Sequence, residues 1–234
     1  MKLPELVWRL SSGGYRLHRF FNRLKVNRQK PRKSFINLHL LKKLHAGRLL
    51  AKSDKLHLGC GTTRLEGFIN IDAVLTPALD FRCRLNKLYD YFPENSLSEI
   101  YICHTLEHVP ARFLSLYLKQ FYGLLKTGGV LRISVPDIEK CLIVSRKQQW
   151  TDKQLDWLQG MVGGAQDHKY NYHTIFFWPE FLQRKLEQAG FANIEEYPLT
   201  PHFAGDDVRD ASNVAGFELY GMGISLNMRG EKPL

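Results

Sequence analysis

The feature that most constrains the fold is an alternation of short apolar segments with helical segments, which begins at residue 55. The predicted strands are 55–58, 68–71, 100–103, 130–135, 193–199 and 217–224, and the predicted helices are 111–125, 138–158 and 179–189. Most of these strands are apolar on both faces, as strands are when helices cover both sides of a sheet. The sequence therefore predicts an α/β domain of the Rossmann-like kind, a three-layer sandwich with a mainly parallel sheet and a short first crossover.

Positive charge is concentrated at the N-terminus. The chain has 234 residues and a net charge of +10, yet residues 1–55 alone carry 15 Lys and Arg against two acidic residues. The other residues carry 18 basic and 21 acidic side chains, so they are close to neutral. Leucines and phenylalanines lie at helical spacing among the cations. We therefore predict a basic, amphipathic helical arm over residues 1–52, followed by the domain over residues 53–234.

An anionic membrane surface is the partner that this arm favours, because long cationic side chains beside an apolar stripe suit a helix at the lipid headgroups. The alternatives are that the stripe docks on the domain, or that the arm is a cleaved transit peptide; nucleic acid is not expected as a partner. No apolar run approaches the length of a membrane span, and the four cysteines stand singly. We expect reduced thiols and a cytoplasmic protein, peripheral to the inner face of the membrane if the arm binds lipid.

A glycine-rich turn follows the first strand directly, as Gly59-Cys60-Gly61, and Asp72 ends the second strand. Glycine lets backbone approach a ligand closely, and an acid at a strand tip can accept hydrogen bonds from ribose hydroxyls. A nicotinamide cofactor is disfavoured, because Arg64 replaces the third glycine of G-x-G-x-x-G and the acid follows Gly61 by only 11 residues. The turn alone indicates a nucleotide site without naming the nucleotide.

The order of the remaining motifs is more specific. LHLGCG, FINID, HTLEHV, LLKTGGVLRISVPD, GGAQDHKYNYH and FLQRKLEQAGF follow one another between residues 55 and about 200. In these segments the chain resembles class I S-adenosylmethionine-dependent methyltransferases, and most of all the type 11 group often found among surface-glycan assembly enzymes. The resemblance implies S-adenosylmethionine as cofactor and methyl transfer as the activity.

The resemblance also implies roles for individual residues. Gly59 and Gly61 would line the methionine part of the cofactor, and Asp72 would hold the ribose. The other implied cofactor residues are Leu58 and Cys60 at the turn, with His104, Thr105 and Leu106 under the sulfonium and adenine. The acid that such enzymes place near the third strand end is replaced by Cys83-Arg84-Leu85, so that Asp80 or backbone atoms are left to bind the adenine.

Residues His104 to His108 match H-x-x-E-H, a zinc-peptidase arrangement. That motif needs one helix through both histidines. Here His104 ends an apolar strand and Pro110 follows soon after. We therefore expect neither zinc hydrolysis nor a bound metal.

The segment Gly163 to His173 is polar and aromatic, and it follows the strand 130–135 and the helical stretch after it. Such a loop can overhang the carboxyl ends of the strands, where ligands bind. We predict His168 or His173 as the general base for a hydroxyl of a sugar or glycolipid; both could also be ordinary loop hydrogen-bonders. A small molecule, a quinone or a protein is the alternative acceptor, and a catalytically silent cofactor-binding module is the alternative function.

Overall fold

The computed structural model describes residues 33–146, 149–167, 169–198 and 210–234. The chain divides into two compact units, residues 1–42 and residues 43–234. Most of the predicted arm, 1–52, therefore lies outside the described residues, and the domain boundary at residue 52 stays a prediction. No helix within the described ranges combines the length and apolar character that a membrane crossing requires.

Seven strands in the described part of the chain form one sheet, in the order β3-β2-β1-β4-β5-β7-β6. They are β1 (Lys55–Leu58), β2 (Ile69–Asp72), β3 (Phe81–Arg82), β4 (Leu97–Cys103), β5 (Leu125–Pro136), β6 (Ala192–Glu196) and β7 (Ser225–Glu231). The first five strands pair in parallel, and only β7 runs antiparallel to its neighbours β5 and β6. This arrangement confirms the predicted α/β class with a mainly parallel sheet.

The helices of the described residues lie between and beside these strands. They are α1 (Lys33–Leu50), α2 (Leu114–Leu124), α3 (Ile138–Ser145), α4 (Asp152–Gly163), α5 (Pro179–Ala189), α6 (Ala211–Val214) and α7 (Phe217–Tyr220). Shorter 3-10 turns follow the ends of β3 and β4, at Leu85–Asp90, Leu106–His108 and Ala111–Phe113. The connection from β1 to β2 contains no helix, which agrees with the short first crossover that the sequence predicts.

Side chains of β4 show that both faces of the sheet are covered. Ile100 and Ile102 belong to the main apolar core, with residues of α2 and α5. Tyr101 and Cys103 point to the opposite face and pack with Leu65 and Phe68. Strands buried on both faces read as continuous apolar runs, and this is why the sequence marks β4 so clearly. All four cysteines of the chain are free and buried, as expected for reduced thiols.

Two sequence-based assignments are wrong in detail. The predicted helix 138–158 is two helices, because Thr151 starts α4 with a reciprocal capping box to Gln154. The predicted strand 217–224 is instead α7, and the strand of this region is β7, at Ser225–Glu231. Gly221, with φ of +69°, lies directly after α7 and interrupts the apolar run.

Candidate active site

The loops after β1, β2, β3 and β4 meet around a cavity of about 580 Å³ at the carboxyl ends of these strands. This is the edge at which open parallel sheets bind ligands. The segment from Lys169 to Asn171 closes one side of the cavity, as the sequence predicts for a loop that overhangs the site. The residues predicted as cofactor ligands that line the cavity are Gly59, Gly61, Asp72, His104 and Thr105.

Backbone conformation explains the two glycines of the first turn. Gly59 and Gly61 have φ of +70° and +51°, values that side-chain-bearing residues rarely adopt. A Cβ atom on Gly59 would lie 2.0 Å from Oγ1 of Thr105, so this glycine lets two protein segments approach each other. A Cβ atom on Gly61 would meet no atom within 4 Å. Gly61 therefore keeps one wall of the cavity open, whereas Gly59 keeps the fold closed.

Asp72 fixes the turn from the end of β2. Its Oδ2 accepts a hydrogen bond of 2.9 Å from the Gly61 amide, and its Oδ1 accepts one of 2.8 Å from the Val74 amide. A carboxylate has about four lone-pair sites, so each oxygen keeps one for a ligand. Asp72 can therefore hold the glycine turn and bind two hydroxyl groups at the same time.

Three other residues predicted at the cofactor lie inside the protein. Leu58 and Leu106 are fully buried and belong to the apolar core. Cys60 is also buried, and burial together with the nearby Asp72 carboxylate raises the pKa of its thiol to about 11. None of the three contributes to the cavity wall in the described part of the chain, so they support the turn from beneath.

The adenine side of the cavity contains residues that the sequence reasoning did not single out. Asp80 is bound to other partners: its Oδ1 accepts from Arg64 at 2.8 Å and its Oδ2 from the Asn70 amide at 2.9 Å. Asp80 is not among the lining residues, whereas Arg84 and Asn86 are. Their only sequence signal is their place after the short strand β3, which was not predicted.

The HTLEH segment does not form one helix. His104 follows the end of β4 with φ of +43°, and only Leu106–His108 forms a 3-10 turn. This confirms that the segment lacks the helix of a zinc peptidase. His104 and His108 line the cavity, and the strained conformation of His104 belongs to this wall.

Glu107 lies behind that wall, with an exposed side-chain fraction of 1%. Its Oε1 is 3.5 Å from Nδ1 of His104 and 3.9 Å from Nε2 of His173. Neither carboxylate oxygen of Glu107 has a hydrogen-bond partner among the described residues. Burial raises the pKa of this carboxyl group to about 8. The ring of His108 packs edge-on against that of His173, with centroids 4.7 Å apart.

His173 has a side chain that is 8% exposed and does not line the cavity. Burial and the neighbouring His108 lower its pKa to about 4. His168, the other predicted base, lies outside the described residues. The loop does bring Lys169, Tyr170 and Asn171 to the cavity, and Tyr170 is 39% exposed there.

No protein-family model matches this chain, and no curated protein matches it in sequence. Among solved structures, it is similar to an S-adenosylmethionine-dependent methyltransferase of Thermotoga maritima, possibly a histamine N-methyltransferase by its printed name. The two chains are 17% identical with a TM-score of 0.46, over 92% of this chain and 96% of the other.

Two further solved structures match at a TM-score of 0.46. The 1,6-didemethyltoxoflavin-N1-methyltransferase of Burkholderia thailandensis, solved with S-adenosylhomocysteine, is 15% identical over 100% of this chain and 92% of its own. The CurJ carbon methyltransferase is 12% identical over 78% of this chain, and this chain spans 49% of its length. A function for this chain therefore has to be argued from its cavity and from the motifs around it.

Proposed function

We propose that this chain is a class I S-adenosylmethionine-dependent methyltransferase whose acceptor is a hydroxyl group of a sugar or glycolipid. The observation that carries the proposal is the cavity at the carboxyl ends of β1, β2 and β4. The glycine turn, Asp72 and the HTLEH segment, which lie far apart in the sequence, meet there. These are motifs through which the sequence resembles this class of enzyme.

The cofactor fits the chemistry of the cavity wall. The backbone at Gly61 faces open space, so the methionine part of the cofactor can lie against the turn. The lone pairs that Asp72 retains can accept hydrogen bonds from two ribose hydroxyls. Arg84 and Asn86, beyond the end of β3, supply polar groups for the adenine.

The reaction asks mainly for positioning. The methyl carbon of S-adenosylmethionine is already activated by the sulfonium, so the acceptor oxygen must be held in line with the C–S bond and shielded from water. Because an alcohol is a weak nucleophile, its proton must also leave. His168 and His173 stay the imidazoles proposed as base in the overhanging loop.

The acceptor class is inferred from the loop. Tyr170 offers an aromatic face and Asn171 and Lys169 offer polar groups at the cavity, a combination suited to a hydroxylated ring. A small molecule, a quinone or a protein acceptor is the alternative. A module that binds cofactor without turnover is the alternative from another functional class.

We also propose that the basic arm, residues 1–52, attaches this protein to an anionic membrane surface from the cytoplasmic side. The excess of 13 positive charges in residues 1–55 supports this placement. A polybasic segment near an anionic surface gains about 1 kcal/mol per cation.

Binding of S-adenosylmethionine to matched glycine variants tests the cofactor site. Gly61 and Gly67 lie in the same β1–β2 loop, both have positive φ, and a Cβ atom on either meets nothing within 4 Å. Only Gly61 lines the cavity. Gly61→Val should therefore lower the affinity at least tenfold by calorimetry, whereas Gly67→Val carries the same backbone strain and should keep the parental affinity.

Asp72→Ala belongs in the same titration. Loss of charge-assisted hydrogen bonds of about 1.5–3 kcal/mol predicts a drop in affinity of about 10- to 150-fold. Parental affinity in both Gly61→Val and Asp72→Ala would place the cofactor elsewhere. Cofactor binding without turnover in an acceptor screen with a labelled methyl donor would favour the silent module.

A further inference from the structure

The buried carboxylate of Glu107 is the least explained group in the described part of the molecule. Both of its oxygens lack a hydrogen-bond partner there, although a buried carboxylate is costly unless it is paired or binds a cation. Ligand atoms of Glu107, His108 and His173 all lie within 4.8 Å of one another. Such a group demands a physical reason for its persistence.

The contacts of the imidazoles show which nitrogen carries a proton. Nδ1 of His108 contacts the Tyr172 carbonyl at 3.2 Å, and Nδ1 of His173 contacts the Met161 carbonyl at 3.0 Å. A carbonyl oxygen only accepts hydrogen bonds, so in each neutral ring Nδ1 is the donor and Nε2 bears the lone pair.

His104 reaches the same conclusion through the other nitrogen. The Ser225 hydroxyl donates its own hydrogen to the Ala211 carbonyl at 2.6 Å, so it accepts from Nε2 of His104 at 2.9 Å. The Nδ1 lone pair of neutral His104 then faces Oε1 of Glu107 at 3.5 Å. Electron-rich atoms therefore converge on Glu107 from two sides, which calls for a cation among them.

We propose that Glu107, His108 and His173 bind a divalent transition-metal ion, of which Zn²⁺ is the type case, behind the wall of the cofactor cavity. Two histidines and a glutamate form a common catalytic zinc set that leaves one position open. The carbonyls of Tyr172 and Met161 orient the two rings through Nδ1, as outer partners of metal-bound histidines do. His108 lines the cavity and gives the ion access to it.

The distances suit this assignment. Ligand atoms about 2.0–2.1 Å from a tetrahedral ion lie roughly 3.3 Å apart. Oε1 of Glu107 and Nε2 of His173 are 3.9 Å apart, so a movement of well under 1 Å completes the contact. The sequence argued against a metal because no helix joins His104 to His108. The site found here joins neighbours Glu107 and His108 to His173, 65 positions further along.

A role for the ion in catalysis rests on the proposed function. A metal ion lowers the pKa of a bound hydroxyl group and so replaces a general base. The acceptor's O–H proton would leave to solvent while the oxygen is bound to the ion. That oxygen would then form the C–O bond as the methyl C–S bond breaks, leaving the sulfonium as a neutral thioether. His173 would act as a ligand in this reaction and not as the base.

Metal binding is measured first, without cofactor. The full chain, stripped with a chelator, is titrated with Co²⁺, whose visible absorption reports binding, and Zn²⁺ is added in competition. We expect one ion per chain, displaced by Zn²⁺. In thermal unfolding, Zn²⁺ at a hundredfold excess over its Kd should raise the Tm by about 5 °C or more.

Variants separate this site from other histidines. Glu107→Gln and His108→Gln should each weaken Co²⁺ binding at least tenfold, and Glu107→Gln should raise the Tm of the metal-free protein because it removes a buried, unpartnered charge. His45→Gln is the control, since this exposed histidine contacts the Asp80 carbonyl away from the site. His108→Gln keeps the test valid if Glu107→Gln fails to fold.

The outcomes distinguish the two proposals. No Co²⁺ binding, or binding that Glu107→Gln and His108→Gln leave unchanged, would overturn the metal site, whatever the protein does with S-adenosylmethionine. Metal binding with no S-adenosylmethionine binding would instead contradict the methyltransferase. Turnover that survives complete removal of the metal would restore His173 or His168 as the base.

Discussion

At the scale of single residues, Gly59 and Gly61 show what the sequence could and could not reveal. The pattern predicts a turn with close backbone approach, and both glycines do have positive φ. The pattern does not tell which glycine faces ligand and which faces protein. Only the fold places Oγ1 of Thr105 at 2.0 Å from a Cβ on Gly59, because Thr105 lies 46 positions away. Gly59→Val would therefore disturb the protein itself, and Gly61 is the better probe of the cofactor.

The buried His57 predicts a dependence of stability on pH. Its side chain is almost fully buried, and Nδ1 donates to Oδ1 of Asn70 at 3.0 Å. Burial lowers its pKa, although the carboxylates of Asp72 and Asp210 oppose the shift. Below about pH 6.5 the unfolded chain binds a proton at this position that the folded protein binds less. The free energy of unfolding should therefore fall as the pH drops from 7.5 to 5.

Urea denaturation at several pH values measures this effect. His57→Gln should be less stable than the parent at neutral pH, because packing and a hydrogen bond change, yet its stability should fall less steeply toward pH 5. Parallel pH profiles for the parent and the variant would exclude His57 as a source of the acid sensitivity.

At the scale of elements, prediction succeeded where one pattern dominated and failed where two competed. Helix α5 was predicted with its bounds, since Pro179 begins it and Gly190, with φ of +108°, ends it. Strand β7 was missed because its polar letters, SLNMRGE, conceal that five of its seven residues are buried between β5 and β6. Burial by neighbouring strands is a tertiary property that a local pattern does not carry.

The connection between α4 and the cavity loop predicts the effect of one substitution. Gly164 has φ of +77°, and a Cβ there would lie 2.4 Å from the Asn171 carbonyl oxygen. Gly164→Ala should therefore destabilise the protein by about 1–3 kcal/mol, with a lower Tm and faster amide exchange in residues 163–173. Gly160→Ala, within helix α4, meets nothing within 4 Å and should raise the Tm. Equal Tm values for the two variants would contradict this account of the loop.

At the scale of the whole molecule, the split of charge is the property that the sequence alone reveals best. The arm prediction is tested with the full chain, because Ala46 is part of the core of the second unit and deletion of residues 1–52 would remove it. Replacing Arg16, Arg19 and Arg23 with Gln should weaken sedimentation with anionic vesicles at low salt several-fold. Cofactor affinity should stay unchanged.

Salt and lipid charge serve as controls for that measurement. Screening should release the parental protein as the salt concentration rises, and neutral vesicles should retain little of it at any salt concentration. Equal pelleting with neutral and anionic vesicles, insensitive to salt, would refute the electrostatic attachment.

The position of β7 has a consequence for how the protein is made. β7 lies between β5 and β6, and β6 pairs with no other strand in the described part of the sheet. During translation, β5 therefore emerges with an open edge, and β6 emerges with nothing to join, until Ser225–Glu231 has left the ribosome. An open strand edge is a template for pairing with other chains. Ribosome stalling shortly before residue 225 would thus release a chain with an unfinished sheet, one suited to chaperone capture or aggregation.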